Sequence, residues 1–262
     1  MFVFLQRLLP KHLLSRLVGF VAASEINLVK STFIRIFCHF YTIDLSEAER
    51  ESPQDYRSFN DFFTRALKPG ARLISGDICS PADGTVAALG HLSGDTIIQS
   101  KNHSYSVNTL LADATDEFSG GSFITIYLAP HNYHRVHVPC DGNLLKATYV
   151  PGDLFSVNQV TANELPGLFA RNERLVCRFS RTEGSMAVVM VGAMLVAGIK
   201  PAWSEKPFKP RLQVNIEMKQ PFRQAEELGQ FMMGSTVILL FPEKLEFTVA
   251  EGEPVCMGQA IA

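Results

Sequence analysis

Residues 233–241 read Met-Gly-Ser-Thr-Val-Ile-Leu-Leu-Phe, a Gly-Ser pair followed directly by a short apolar run. The run Thr236–Phe241 is typical of a buried strand, because it is short, apolar and bounded by a turn sequence. Comparable runs recur from Ile74 onward, separated by turn residues such as Asp83-Gly84. They are Thr85–Leu89, Thr96–Gln99, Ser122–Leu128, Arg135–Val138, Leu144–Tyr149, Leu175–Phe179 and Ala187–Ile199. Because no long helices alternate with these strands, the sequence predicts a mixed or antiparallel sheet.

The N-terminal part of the chain has a helical pattern instead. Pro10 predicts the start of a helix, and Ser58 followed by Asp61 predicts the start of another. Between them lies an apolar stripe at helical spacing, formed by Ile26, Val29, Phe33, Ile36, Phe37 and Phe40. Lys68-Pro69-Gly70 then ends the helical region. The sequence therefore predicts an α+β protein, with a helical region at 1–68 and a β-rich core at 69–262.

Two interpretations of the amphipathic N-terminal helices stay open on composition alone. Up to Ile43 the chain carries five Lys or Arg against one acid, Glu25. Large apolar residues with a cationic bias suit a membrane surface, where Lys and Arg meet anionic head groups. The other interpretation is that the apolar stripes pack on the protein's own core, as most amphipathic helices do.

Composition argues against several classes of protein. A formal net charge of −2 leaves no global basic field, so we expect no nucleic-acid partner. No uncharged apolar stretch approaches the ~18 residues that span a bilayer, and the N-terminus lacks the charge order of a signal peptide. The five cysteines, at 38, 79, 140, 177 and 256, form no C-x-x-C pair. We expect them to be reduced thiols in a cytosolic compartment.

A cluster of histidines occupies positions 131, 134 and 137. This spacing matches no common zinc motif, and Pro130 and Pro139 oppose a continuous helix, so we predict no metal site. Imidazole titrates near neutral pH, which makes the cluster a better candidate for acid–base chemistry. Any one of the three can instead be a structural loop histidine, and His131 fits that interpretation best.

The Gly234-Ser235 pair is a candidate for self-cleavage. A serine hydroxyl can attack the carbonyl of the residue before it, and glycine leaves that carbonyl unhindered. The resulting ester can lose its upstream chain by elimination, and the dehydroalanine that remains then hydrolyses to a pyruvoyl group on the new N-terminus. Such a serine needs a base and an orienting carboxylate. Asp83 is a candidate for the carboxylate, although Asp-Gly is more often a plain turn.

Several segments together resemble the phosphatidylserine decarboxylase family and follow one another in the family's order. They are residues 59–65 (FNDFFTR), 80–84 (SPADG), 133–139 (YHRVHVP), 149–158 (YVPGDLFSVN), 168–174 (LFARNER) and 233–236 (MGST). Met233 stands where the family often has Leu, and the tail after Ser235 is short. The short tail puts expectations for the extreme C-terminus in doubt.

The resemblance implies a role for each matching residue. Asp83, His137 and Ser235 correspond to the self-cleavage triad, and His134 to the histidine of the decarboxylation step. Cleavage between Gly234 and Ser235 would give a β chain, 1–234, and an α chain, 235–262, that stay together as a heterodimer. Ser235 would become a pyruvoyl group that forms a Schiff base with phosphatidylserine and yields phosphatidylethanolamine. The resemblance implies neither a metal nor pyridoxal phosphate.

A lipid substrate also favours the membrane interpretation of the helical region. We therefore expect a peripheral protein at the cytoplasmic side of the cell membrane, with the oligomeric state beyond the heterodimer left open. One alternative is a pyruvoyl enzyme for a soluble amino acid or S-adenosylmethionine, which would not need the cationic apolar region. Another is a non-catalytic membrane-surface module in which Gly234-Ser235 is an ordinary turn.

Overall fold

The computed structural model describes residues 6, 10–100, 103–194, 198–208, 212–232 and 235–262. Within these residues most of the chain after the first helices forms β structure, as the sequence predicts. The strands are β1 Gly84–His91, β2 Thr96–Ser100, β3 His103–Ser106, β4 Ser122–Leu128, β5 Arg135–His137, β6 Gly142–Val150, β7 Arg174–Arg181, β8 Gly184–Gly192, β9 Ile199–Pro201, β10 Val214–Phe222, β11 Glu227–Phe231, β12 Ser235–Phe241 and β13 Pro254–Val255.

The longer helices lie in the N-terminal region, which confirms the predicted α+β class. The helices are α1 Lys11–Ala22, α2 Asn27–Phe40, α3 Phe59–Phe63, α4 Val107–Leu111, α5 Gln159–Glu164 and α6 Leu168–Arg171, with a 3₁₀ turn at Pro53–Asp55. Helix α1 begins directly after Pro10. At α3 the Ser58 hydroxyl accepts a hydrogen bond from the Asp61 N–H at 3.2 Å, which is the predicted cap. The domain boundary near residue 68 stays a prediction.

An eight-stranded sheet forms the centre of the fold, in the order β10-β6-β7-β8-β12-β4-β1-β13. Every neighbouring pair in it is antiparallel, so the open choice between mixed and antiparallel is settled for this sheet. A smaller antiparallel sheet has the order β5-β11-β9, and β2 and β3 form a hairpin. Strand β12, the apolar run that follows Gly234, lies in the interior of the large sheet.

Strand β12 is buried on both of its faces. Val237, Leu239 and Phe241 join one hydrophobic cluster, together with Val136 and Leu228 from the small sheet. The alternating residues Ile238 and Leu240 join a second cluster on the opposite face, which the short helices α4 to α6 cover. Successive side chains of a strand point to opposite faces, so an unbroken apolar run is what a strand covered on both sides requires.

The apolar stripe of α2 divides between two environments. Ile34 and Phe37 are buried in a third cluster with Phe59, Phe62 and Phe63 of α3, and Phe33 packs against it. Ile26, Ile36 and Phe40, which the sequence placed in the same stripe, are at least half exposed. The packing interpretation is therefore confirmed for part of the helix surface, and the membrane interpretation stays a prediction for the exposed part.

Several elements differ from the sequence-based expectation. The run Ala187–Ile199, predicted as one strand, contains the end of β8 at Gly192 and the start of β9 at Ile199, with 195–197 outside the described residues. Gly192, the last residue of β8, pairs with Ser235, the first residue of β12. Strand β10, at the sheet edge, was not predicted because it is not an unbroken apolar run: Val214, Ile216 and Met218 alternate with polar residues. Strands β3, β11 and β13 were also missed.

Burial of β12 on both faces predicts a large effect of truncating one of its side chains. Leu239 is fully buried, so Leu239→Ala should lower the free energy of unfolding by about 2–5 kcal/mol. Leu212→Ala is the matched control, because Leu212 is 78% exposed, and should change it by less than about 0.5 kcal/mol. Urea unfolding in a Ser235→Ala background measures both. Equal effects of the two substitutions would contradict the position of β12.

Candidate active site

The strand register brings Asp83 and Ser235 to the same end of the large sheet. Thr85 of β1 and Thr236 of β12 both pair with Tyr127 of β4, which lies between them. Ser235 comes one residue before Thr236 and Asp83 two residues before Thr85, so both lie beyond the same end of this row. Their two strands are separated by two spacings of about 4.8 Å. A Cβ on Gly84 would lie 2.4 Å from the Tyr127 carbonyl oxygen, so the Asp-Gly sequence serves a close approach of two strands.

His137 is held on both ring nitrogens beside the Asp83 loop. Its backbone N–H donates to the Pro81 carbonyl at 2.8 Å, which ties β5 to that loop. Nδ1 lies 2.7 Å from the Ala225 carbonyl oxygen, and Nε2 lies 2.9 Å from the Tyr133 hydroxyl. A carbonyl oxygen only accepts, so Nδ1 carries the proton and Nε2 accepts from Tyr133. Burial lowers the pKa of His137, which keeps the ring neutral near pH 7.

Asp83 has partners other than the expected histidine. Arg72 donates to its carboxylate from Nη2 at 2.7 Å, and the Met257 backbone N–H donates at 2.8 Å. Among the described residues no hydrogen bond joins Asp83 to His137. The carbonyl of Ala225 occupies the position that an orienting carboxylate would take at Nδ1. The negative charge of Asp83 still favours protonation of His137, although burial has the larger effect on that pKa.

Ser235 is fully buried, and its hydroxyl has no hydrogen-bond partner among the residues that the structure describes. It begins β12, where it pairs with Leu128 of β4 and Gly192 of β8. Side-chain alternation places it on the same face as Val237 and Leu239, the face that packs against the small sheet. An unpaired buried hydroxyl costs free energy, and such groups concentrate at functional sites. Met233 and Gly234 lie outside the described residues.

His134 is fully buried in the loop between β4 and β5. Its Nδ1 lies 2.8 Å from the Asn132 carbonyl oxygen and so carries the proton, while Nε2 has no hydrogen-bond partner. The ring lies against Phe63 of α3, with the ring centroids 4.1 Å apart. Burial lowers the pKa of His134 to about 3, so its free nitrogen is an acceptor near neutral pH. His131, the third histidine of the cluster, is exposed.

The end of helix α3 supports the histidine loop, a function that the sequence did not reveal. Arg65 donates from Nη2 to the carbonyl oxygens of His131 and Asn132, at 3.0 and 3.3 Å. Arg135, in turn, donates from Nε to the Thr64 carbonyl at 2.8 Å. The segment 59–65 was recognised in the sequence, but the loop that it contacts was not. The available signal was an arginine two residues after a short aromatic helix, since such an arginine is easily buried and then needs hydrogen-bond partners.

Other partners at the site were also missed by sequence reasoning. Tyr133, Arg72 and the carbonyl of Ala225 each contact a predicted site residue, and no spacing rule connects them to it. Arg135 forms an ion pair with Glu227 at 2.7 Å. Within the described ranges no group of His, Cys, Asp and Glu side chains is arranged to hold a metal ion. All five cysteines are free thiols.

Known proteins share this arrangement of segments along nearly the whole chain. A family profile described as phosphatidylserine decarboxylase matches residues 59–262, and a second profile, PSD, matches residues 1–42. The chain belongs to the phosphatidylserine decarboxylase family. This confirms the resemblance drawn from the sequence.

Curated relatives of the family are similar over their full length. A phosphatidylserine decarboxylase proenzyme of Saccharophagus degradans is 46% identical, covering 100% of this chain and 99% of the relative. Proteins with the same description from Alcanivorax borkumensis and Psychrobacter arcticus are 49% and 47% identical, over 93% and 100% of this chain and 88% and 98% of their own lengths. The alignment with the first of these relatives spans the whole of this chain, so it includes both the N-terminal region and the segment after Ser235.

The low pKa of His134 predicts how stability changes with pH. The folded protein binds a proton at His134 only near pH 3, whereas the unfolded chain binds it near pH 6.5, so acid favours unfolding below pH 6.5. Between pH 7 and 5 this group should cost about 2 kcal/mol. In a Ser235→Ala background, His134→Gln should lose that much less stability over this range, as measured by urea unfolding. Equal losses in both proteins would show that His134 titrates normally.

Proposed function

We propose that this chain is a self-cleaving proenzyme that decarboxylates phosphatidylserine to phosphatidylethanolamine with a pyruvoyl group made from Ser235. One observation carries the proposal: in a member of this family, Ser235 follows Gly234 and is fully buried with an unpaired hydroxyl. A hydroxyl held in the interior without a partner has no stabilising role, whereas a nucleophile needs to be unencumbered. His137, with its neutral ring, supplies the base for that hydroxyl.

The fold accommodates a cut between Gly234 and Ser235. Strand β12 is hydrogen-bonded to β4 and β8 from its first residue, so the cut would fall at the edge of the paired region. The C-terminal segment has further anchors, because β13 pairs with β1 and the Ile261 N–H donates to the Ile78 carbonyl at 3.0 Å. The chains 1–234 and 235–262 would therefore remain together as an α–β heterodimer.

Chemistry at the site would use the chain's own residues in two stages. In the first, Ser235 attacks the preceding carbonyl, the ester formed loses the upstream chain as a carboxylate by elimination, and water converts the dehydroalanine that remains to the pyruvoyl group with release of ammonia. That group supplies a ketone which withdraws electrons from the bound substrate as carbon dioxide leaves. The buried surroundings of Ser235 fit such a group, since they exclude the water that would compete for its electrophilic carbon.

His134 fits a proton-carrying role in the second stage. Its Nε2 is a lone pair without a partner among the described residues, in a water-excluded site. The carboxylate and phosphate of bound phosphatidylserine would favour the protonated ring and so raise its low pKa, which would let it take up the proton that the substrate ammonium must lose. The same nitrogen can then return that proton to the carbon from which carbon dioxide has departed. Nδ1 stays bonded to the Asn132 carbonyl throughout, which fixes the ring while Nε2 changes its protonation state.

Intact mass spectrometry tests this function directly. The purified protein should contain two chains, with the C-terminal one starting at residue 235 and lacking the mass of ammonia. Ser235→Ala should stay a single chain of about 29.0 kDa and show no decarboxylation. A single uncut wild-type chain after prolonged incubation would favour the non-catalytic module instead.

A matched variant separates the two stages. His134→Gln should cut at a rate close to that of the wild type and lose decarboxylation by about 100-fold or more, as a lost acid–base group does. Release of carbon dioxide from phosphatidylserine measures the second stage. Turnover of soluble serine derivatives or of S-adenosylmethionine in preference to the lipid would instead favour the soluble-substrate alternative.

The exposed apolar side chains of α1 and α2 support a peripheral position at the cytoplasmic side of the cell membrane. These side chains, none of them buried, are Leu13, Leu17, Phe20, Val21, Ile26, Leu28, Ile36 and Phe40. Such a surface is unusual in water and typical of helices that lie in a lipid interface. Among the described residues no single helix has the length and hydropathy of a membrane span; the two helices reach them only together, across a bend of 114°.

Vesicle flotation tests the membrane proposal. Phe20 and Phe40 are 82% and 73% exposed, so Phe20→Glu with Phe40→Glu should leave folding intact and reduce flotation with vesicles containing phosphatidylserine by about tenfold or more. Leu212→Glu is the control, since Leu212 is 78% exposed and lies outside this helical surface. Equal flotation of the wild type, the double variant and the control would show that α1 and α2 do not contact the membrane.

A further inference from the structure

The Tyr133 hydroxyl is hydrogen-bonded to the His137 nitrogen that would have to accept the Ser235 proton. Nδ1 is committed to the Ala225 carbonyl at 2.7 Å, and Nε2 already accepts from the Tyr133 hydroxyl at 2.9 Å. The two rings also stack, with centroids 5.7 Å apart and planes inclined by 27°. A neutral imidazole has one donor and one acceptor, so His137 has no site left for Ser235.

The energetics of this pair distinguish two routes for the proton. If Ser235 displaced Tyr133 from Nε2, the phenol hydroxyl would be left unpaired at a residue only 4% exposed, which costs about 1–3 kcal/mol. If the proton passed through the phenol, the bond between Tyr133 and His137 would be kept. The Ser235 hydroxyl has no hydrogen-bond partner among the described residues, so a hydrogen bond from it to Tyr133 would replace none of those the structure shows.

The backbone brings Tyr133 and Ser235 into one corner of the fold. Directly after β4 the Asn132 N–H donates to the Ala129 carbonyl at 2.9 Å, a tight turn that keeps Tyr133 beside the strand end. That strand end is Leu128, the pairing partner of Ser235. On the other side the Phe231 N–H donates to the His134 carbonyl at 3.0 Å, so the segment leading to Ser235 runs alongside the same loop.

We propose that Tyr133 is a catalytic residue of self-cleavage, relaying the proton between Ser235 and His137. This inference rests on the proposed function. As Ser235 Oγ bonds to the carbonyl carbon of residue 234, its proton passes to the Tyr133 oxygen and the Tyr133 proton passes to His137 Nε2. When the bond from that carbon to the Ser235 nitrogen breaks, Tyr133 passes its proton to the nitrogen, which leaves as an amine, and His137 Nε2 returns its proton to the Tyr133 oxygen. An amide becomes an ester and an amine, with no net gain or loss of protons.

Ester formation in Tyr133→Phe tests the relay. Hydroxylamine cleaves the ester between residues 234 and 235 and so reports that step before elimination. Tyr133→Phe should slow it by about 100-fold or more, the effect of losing a proton-transfer group. Tyr105→Phe is the matched control, because Tyr105 is buried like Tyr133 but lies in the cluster on the other face of the sheet. Unlike that of Tyr133, its hydroxyl has no hydrogen-bond partner among the described residues. The control should cut at the wild-type rate.

Cutting by Tyr133→Phe at the wild-type rate, or faster, would overturn the relay and leave the proposed function standing. Absence of hydroxylamine-sensitive cleavage in the wild type would instead overturn the proposed function. Urea unfolding of Tyr133→Phe in a Ser235→Ala background reports whether the variant folds. The wild type gives an independent result. Because two protons are transferred in the relay, a plot of the rate of ester formation against the deuterium fraction of the solvent should be curved. A linear dependence would overturn the relay even if the variant did not fold.

Discussion

The backbone pairing of β12 with both of its neighbours is the interaction on which the rest of the structure depends. Ser235 is the first paired residue of that strand, joined to Leu128 on one side and Gly192 on the other. The residues of β12 that follow Ser235 are buried on both faces. The same pairing would keep the two chains together after a cut.

Burial sets the protonation states that the chemistry requires. His134 and His137 are both enclosed, and for both the loss of water is the largest effect on the pKa. Enclosure of His134 comes from Phe63, and the loop that carries it is held by Arg65. The N-terminal region therefore has two faces with different functions. One supports the histidine loop, and the other presents the apolar side chains proposed to contact lipid.

The sequence predicted the strands that are apolar on both faces and the helices that have a cap, because each of those features is local. Ser122–Leu128 was bounded to the residue, and the Ser58 cap was recognised from its spacing. Edge strand β10 was missed because the prediction relied on unbroken apolar runs, whereas β10 alternates apolar residues with polar ones. The candidate residues Asp83, His134, His137 and Ser235 came from motif positions, but their partners depend on the tertiary fold. Nothing in the spacing of Asp83 and Arg72 reveals an ion pair, nor does the spacing of His137 and Ala225 reveal a hydrogen bond.

The C-terminal segment contributes to the site at more than one point. Besides Ser235, it supplies the Met257 N–H that holds the Asp83 carboxylate, while Arg72 holds the same group from the N-terminal side. Ile261 is fully buried, and its N–H bonds to Ile78 close to the Asp83 loop. Asp83 thus joins the two segments on either side of the proposed cut. Its charge acts on His137 through space, and its hydrogen bonds keep the segment that carries Ser235 in register with the loop that carries the base.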